Sequence, residues 1–219
     1  MGTITRSLSN NITTGGVILP AGITNSSVSA VTSFANASGG TLTLLSTQTA
    51  SNSATISFTT GLDSTYDAYE FKFINIHARG TTVDFRFNGS TDAGSNYNVT
   101  KSSSVYTAYY NESGSGGGLT ILSDRSLEQS TSFQDITRNM QSNSDDNLCG
   151  SLQIYNPSST TYVKHYVSRI SSSADGSGNG TDEYTGGYLN TTSAINAIRF
   201  QMSSGNFDGV IKLYGLKKS

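Results

Sequence analysis

Residues 194–216 read AINAIRFQMSSGNFDGVIKLYGL, and the fold turns on how this stretch is read. Ile198, Phe200 and Met202 alternate with polar residues on one face of a first strand, and Phe207, Ile211 and Leu213 share a face of a second. Between them Ser203-Ser204-Gly205-Asn206 is turn chemistry, because glycine and asparagine accept the positive φ values of tight turns. The spacing predicts a C-terminal hairpin. A strand pair with one apolar face is marginal in water, so this hairpin must close a larger sheet whose other strands lie upstream.

Those strands are visible as a period of two. Leu42 and Leu44, then Ile56 and Phe58, alternate with Thr and Ser and predict strands near 41–49 and 53–60. Ala68–Ala78 is the strongest, with Tyr69, Phe71 and Phe73 on one face and Ile74 and Ile76 on the other, as expected of a central strand. After Gly80, the run 81–88 points Val83, Phe85 and Phe87 inward and Asp84 and Arg86 outward, and is expected to pair with the strand before it. Leu148–Asn156 and Thr161–Ser171 form a hairpin across Pro157, and Glu183–Asn190 is a further strand. Residues 89–104, the glycine cluster 114–118 and residues 126–140 read as irregular excursions around a short apolar run at 119–122. Nine or ten strands without a helical period predict an all-β chain: an antiparallel, jelly-roll-like β-sandwich over residues 41–219. Residues 1–40, rich in Gly, Ser, Thr and Asn, read as an extended N-terminal arm or a tail.

Composition narrows the function. Only 13% of the 219 residues are charged, so solubility comes from hydroxyls and amides. A net charge of −2 with no basic run beyond Lys217-Lys218 argues against nucleic acid as a partner. No stretch matches a membrane span, and Met1–Thr14 lacks the apolar region of a secretion signal. A protein made in a cytoplasm and released by lysis fits that pattern. The Asn-x-Ser/Thr triplets, such as Asn98-Val99-Thr100, arise by chance in so hydroxyl-rich a chain.

Catalytic chemistry is hard to assemble. His77 and His165 are the only histidines, each within a strand, and neither has metal-ligand spacing. No G-x-S-x-G elbow is present. The lone Cys149 excludes a disulfide framework within the chain and reads as a small core residue beside Leu148. Asp175, Ser177, Asn179 and Gly180 start like a calcium-binding loop, but Gly186 stands where a bidentate Glu is needed, so a solvated loop is the better reading. Metal ligands, cofactors and catalytic residues are therefore expected to be absent. Tyr106, Tyr109 and Tyr110 beside Asn111 read either as an aromatic platform for a sugar or as a subunit contact. In the last strand, Val210, Tyr214 and Leu216 lie opposite Phe207, Ile211 and Leu213, and predict an apolar patch at a subunit contact.

The spacing Ile195-x-x-Ile198-x-Phe200, then Gly205, Phe207 and Gly209, then Val210–Lys217, resembles the closing hairpin of jelly-roll virion proteins of tailed bacteriophages. Such proteins serve as decoration, structural or tail-fibre-like components. The resemblance covers about residues 41–219, with Tyr69–Ala78, Val83–Asn88 and Tyr97 as the matching first half. It implies a non-enzymatic virion protein, a homotrimer held partly by the N-terminal arm, that contacts other virion proteins. The competing expectation is a tail adhesin binding host-surface glycan through the tyrosines. A depolymerase, which needs paired carboxylates across a groove, is the weakest alternative.

Overall fold

The computed structural model describes residues 42–173 and 175–216. The proposed arm, residues 1–40, lies outside them. Twelve strands are present among the described residues: β1 (Leu42–Ser53), β2 (Thr55–Phe58), β3 (Ala68–Ala78), β4 (Phe85–Ser90), β5 (Lys101–Asn111), β6 (Gly117–Ile121), β7 (Gln134–Asp135), β8 (Leu148–Tyr155), β9 (Lys164–Ser172), β10 (Asn179–Leu189), β11 (Ala197–Met202) and β12 (Phe207–Leu216). They form two antiparallel sheets, an eight-stranded one in the order β1-β12-β3-β8-β9-β10-β5-β6 and a four-stranded one in the order β2-β11-β4-β7. The chain is an antiparallel β-sandwich, as its alternating pattern requires.

Two expected pairings are wrong, and for the same reason. β11 and β12 are not a hairpin: β11 lies between β2 and β4 in the small sheet, and β12 between β1 and β3 in the large one. Likewise β3 and β4 belong to different sheets. Alternation says which residues face the core but not which sheet carries them, and two strands joined by a tight turn can face each other across a core as well as lie side by side. The two crossing turns hold each other, with Arg79 N–H donating to the Asn206 carbonyl at 3.0 Å and Ser203 N–H to the Asp84 carbonyl at 2.8 Å. The true neighbours are β3 with β12 and β4 with β11, so one antiparallel ribbon is folded over at this corner. The end of β1 joins it there: Asp208 accepts from Asn52 N–H at 2.7 Å and Arg79 Nε–H at 2.6 Å, and Asn206 Nδ2 donates to the Asn52 carbonyl at 2.9 Å.

Inside the fold, Phe200 of β11 meets the rings of Phe71 and Phe73 from the large sheet, both at 5.1 Å, and stacks on Phe85 at 5.8 Å. Ile211, Leu213, Leu152, Ile154 and Ile170 complete the apolar layer, all fully buried. β3 is flanked by strands on both sides, as expected, but its two isoleucines do not share a face: Ile76 is fully buried and Ile74 is exposed. A bulge at 74–75, with Asn75 at φ +50°, adds one residue to β3 and flips the alternation.

Candidate functional site

The pairing registers of the large sheet lay out its outer face as cross-strand rows. One row runs Ile121 (β6), Tyr106 (β5), Tyr184 (β10), Arg169 (β9) and Ser151 (β8). Tyr106 and Tyr184 stack face to face, centroids 4.9 Å apart with planes 6° from parallel, and the Arg169 guanidinium lies 5.2 Å from the Tyr184 ring centroid. Arg169 is held by Asp182, through Nη2 at 2.7 Å and Nε at 3.1 Å, and the Tyr184 hydroxyl donates to Asp182 at 3.0 Å. These contacts hold the Asp182 carboxyl below the usual carboxylate range, chiefly through its hydrogen bond with Arg169. The result is a fixed wall standing on the sheet.

Two rows away, Tyr110 is flanked by glycine on both sides, Gly117 on β6 and Gly180 on β10. No neighbouring side chain in that row covers its ring, and it is 62% exposed. The row between is floored by Ala108 and Ser171, with Asp182 between them turned toward Arg169 and Tyr184. There a cavity of about 360 Å³, lined by Tyr110, Ala108, Gly180, Asp182 and Ser171 among others, adjoins one of about 220 Å³ lined by Cys149, Gly150, Arg169, Ser171 and Asp182. Both share Ser171 and Asp182, so they make one shallow groove crossing β5, β10, β9 and β8. With a strand rise of ~3.3 Å per residue, the four positions from Tyr106 to Tyr110 separate wall and platform by ~13 Å.

The three sequence-predicted tyrosines are therefore not one cluster. Tyr106 and Tyr110 share the outer face, but Tyr109 alternates to the opposite face, alongside Gly118. The faces of Tyr106 toward β10 and of Tyr184 are consumed by stacking, so Tyr110 is the open ring. Tyr184 and Arg169 were missed as site residues because their partnership depends on a register set by long-range pairing; Tyr184 is visible in the sequence only as one residue of a predicted strand.

No protein-family model, curated protein or solved structure matches this chain. Its chemistry must be read from its own residues.

Cys149 is exposed at one end of the groove rather than buried in the core, because it alternates with the inward-facing Leu148. The 175–180 segment is a turn with an exposed tip at 176–178 and an ordered base: Asp175 is buried and accepts from Ser177 N–H at 2.8 Å and from Asn179 N–H at 3.2 Å. Its second oxygen lies 3.7 Å from Arg138. The imidazole Nδ1 of His77 is 2.6 Å from the Asp146 carbonyl, and His165 packs on the outer face near the Tyr188 ring. Among the described residues no group of His, Cys, Asp and Glu has the geometry to hold a metal ion, and no helix is long and apolar enough to cross a membrane.

Behind the groove the large sheet carries polar residues inward. Glu183 of β10 is 1% exposed, and among the described residues its carboxylate oxygens make no well-formed hydrogen bond, the Arg138 backbone N–H and guanidinium being its nearby favourable groups. Burial, only partly offset by Arg138, pushes its carboxyl up to about 8. Lys101 is buried with its Nζ donating to Asn88 Oδ1 and the Val99 carbonyl, both at 2.9 Å, and burial pushes it down to about 7. Asp84 and Arg86 do point away from the aromatic core, but they meet Arg125 and Asp135 rather than open solvent. The predicted patch at Val210, Tyr214 and Leu216 is only partly exposed: β12 lies between β1 and β3, and Lys72 sits 5.6 Å from the Tyr214 ring centroid.

Proposed function

We propose that this chain is a non-catalytic recognition module displayed on a tailed-phage particle, and that its outer groove binds glycan of the host surface. The observation that carries the recognition is the pairing of an open aromatic ring, Tyr110, with the fixed polar wall of Tyr184, Asp182 and Arg169. A sugar ring offers an apolar C–H face and a rim of hydroxyls. The first suits the Tyr110 ring, and the second suits a carboxylate and guanidinium already held in place, which lose little entropy on binding. Small groups on the floor let the ring approach closely, and the run of the groove across several strands suits a linear chain of sugars rather than a single unit. The virion setting rests on the resemblance at 195–217 and on the hydroxyl-rich, weakly charged composition.

Titration of the full-length protein with host-surface polysaccharide is the test. The reading requires saturable binding that Tyr110→Ala abolishes, with no new reducing ends formed. Binding that survives Tyr110→Ala, or release of oligosaccharide, overturns it. Mass spectrometry of purified particles tests the setting separately, since a virion component must appear there.

A further inference from the structure

β6 ends the large sheet, and among the described residues its free side is chemically unguarded. In the β5–β6 ladder Leu122 N–H donates to the Val105 carbonyl at 2.8 Å and Asn111 N–H to the Gly116 carbonyl at 2.8 Å. The register Tyr106↔Ile121 to Tyr110↔Gly117 then makes 120 and 118 the other residues bonded to β5. Gly117, Leu119 and Ile121 therefore aim their N–H and C=O groups away from the sheet, and no described residue takes them. All five residues of β6 are exposed, Leu119 at 72% and Ile121 at 76%. Edge strands are ordinarily protected by a lysine, a proline or a bulge. Gly117-Gly118-Leu119-Thr120-Ile121 contains no charged residue and no proline, and its ladder with β5 shows no register shift.

We infer that β6 pairs with β6 of a second copy of this chain, continuing the eight-stranded sheet across a two-fold axis at Leu119. The segment is self-complementary in that register. Antiparallel pairing about Leu119 sets Leu119 against Leu119 of the partner subunit and Ile121 against Gly117 of the partner subunit. Those are the residues whose backbone groups point outward, so every outward N–H finds a carbonyl. The bulky Ile121 meets a glycine over which the Tyr110 ring of that copy leans, so the apolar Ile121 side chain packs against the edge of that ring. A linear glycan could cover the apolar side chains but has no ladder of groups spaced to match these amides. The contact area is small beside the ~1,600 Å² of a standard interface, so the dimer is reversible and grows with concentration. A two-fold axis gives a dimer rather than the trimer that the phage resemblance implies, and it places the contact at β6 rather than at Tyr214. The inference does not depend on the glycan reading.

The test is sedimentation of the full chain over a range of concentrations, combined with hydrogen exchange at the Gly117, Leu119 and Ile121 amides. The expected result is a mass that rises toward twice the monomer, with protection of those amides rising in parallel. Leu119→Lys places two like charges on the axis, and Leu119→Pro removes an outward N–H without touching the bonds to β5; both should give monomers. Leu44→Lys, an exposed apolar site on β1 at the far edge, should still dimerise. A monomer at every concentration overturns the inference. So does amide protection that is independent of concentration, which would mean the chain's own arm covers the edge, or a dimer indifferent to both Leu119 variants.

Discussion

Tyr106 and Tyr184, 78 residues apart in sequence, lie face to face across the β5–β10 pair with centroids 4.9 Å apart. The stack sets the orientation of a ring that also carries Arg169 and Asp182, so a structural contact and the proposed binding wall are the same object.

Replacing Tyr184 with alanine should therefore act twice. Loss of the cross-strand aromatic pair costs about 1 kcal/mol in chemical denaturation. Glycan binding should fall as well, because Arg169 and Asp182 lose the ring that positions them. Tyr110→Ala, at an open ring, should abolish binding with almost no change in stability. Equal effects of the two variants on stability would contradict this division.

Cys149 should react readily with a thiol-specific probe in the native protein, since it lies exposed on the outer face. It lines the groove with Arg169 and Asp182, so saturating polysaccharide should slow the labelling severalfold. Labelling unaffected by polysaccharide would place the ligand elsewhere.

Phe200→Ala should destabilise the fold by about 3–5 kcal/mol, the range for an aromatic removed from a packed core. Phe200 joins rings of both sheets, so neither sheet can move in alone to fill the gap. The denaturant midpoint is the measurement.

Stability should respond to pH with opposite signs at two carboxyls. The Glu183 carboxyl, raised from 4.5 to about 8, binds its proton more tightly in the folded chain. Its contribution is whole below the unfolded value and is lost as pH rises toward 8, with Arg138, Asp84 and Asp175 as the charged groups around it. Glu183→Gln should stabilise the protein by about 2 kcal/mol near neutral pH and have little effect near pH 4. Asp208 is lowered by its hydrogen bonds with Arg79 and Asn52, so its contribution is present at neutral pH and lost as pH falls through its folded value. Asp208→Asn should cost about 1 kcal/mol at neutral pH and nothing in strong acid, the modest size reflecting a partly exposed pair. Thermal melts across the pH range read both.

Strand identity was legible where apolar residues supplied the period of two: β3, β8 and β9 stand where Phe71, Leu152 and Tyr166 placed them, whereas β5, whose inward residues include Lys101 and Thr107, read as part of an irregular stretch. Strand partnership was not. The turn at Ser203-Ser204-Gly205-Asn206 fits a hairpin and a crossing between sheets equally well, and only the long-range pairing of β12 with β3 decides between them. The bulge at Asn75 hid in the same way, since Ile74 and Ile76 alternate normally on paper. For the site, Tyr106 and Tyr110 share a parity that Tyr109 does not, a signal present in the sequence that separates the three. Glu183 also carried a signal, lying between Thr181 and Thr185 in a polar alternation that points inward.

Leu42 and Leu216 pair directly, so the chain enters and leaves the sandwich side by side, at the edge of the large sheet farthest from β6. A pull applied through both ends would open the β1–β12 ladder one hydrogen bond at a time, like a zipper, at low force. A pull shared between one of these ends and a ligand held on β5 and β10 would instead load many interstrand bonds together. The fold is thus weak to a pull between its two ends and strong to one applied between an end and the outer face of β5 and β10.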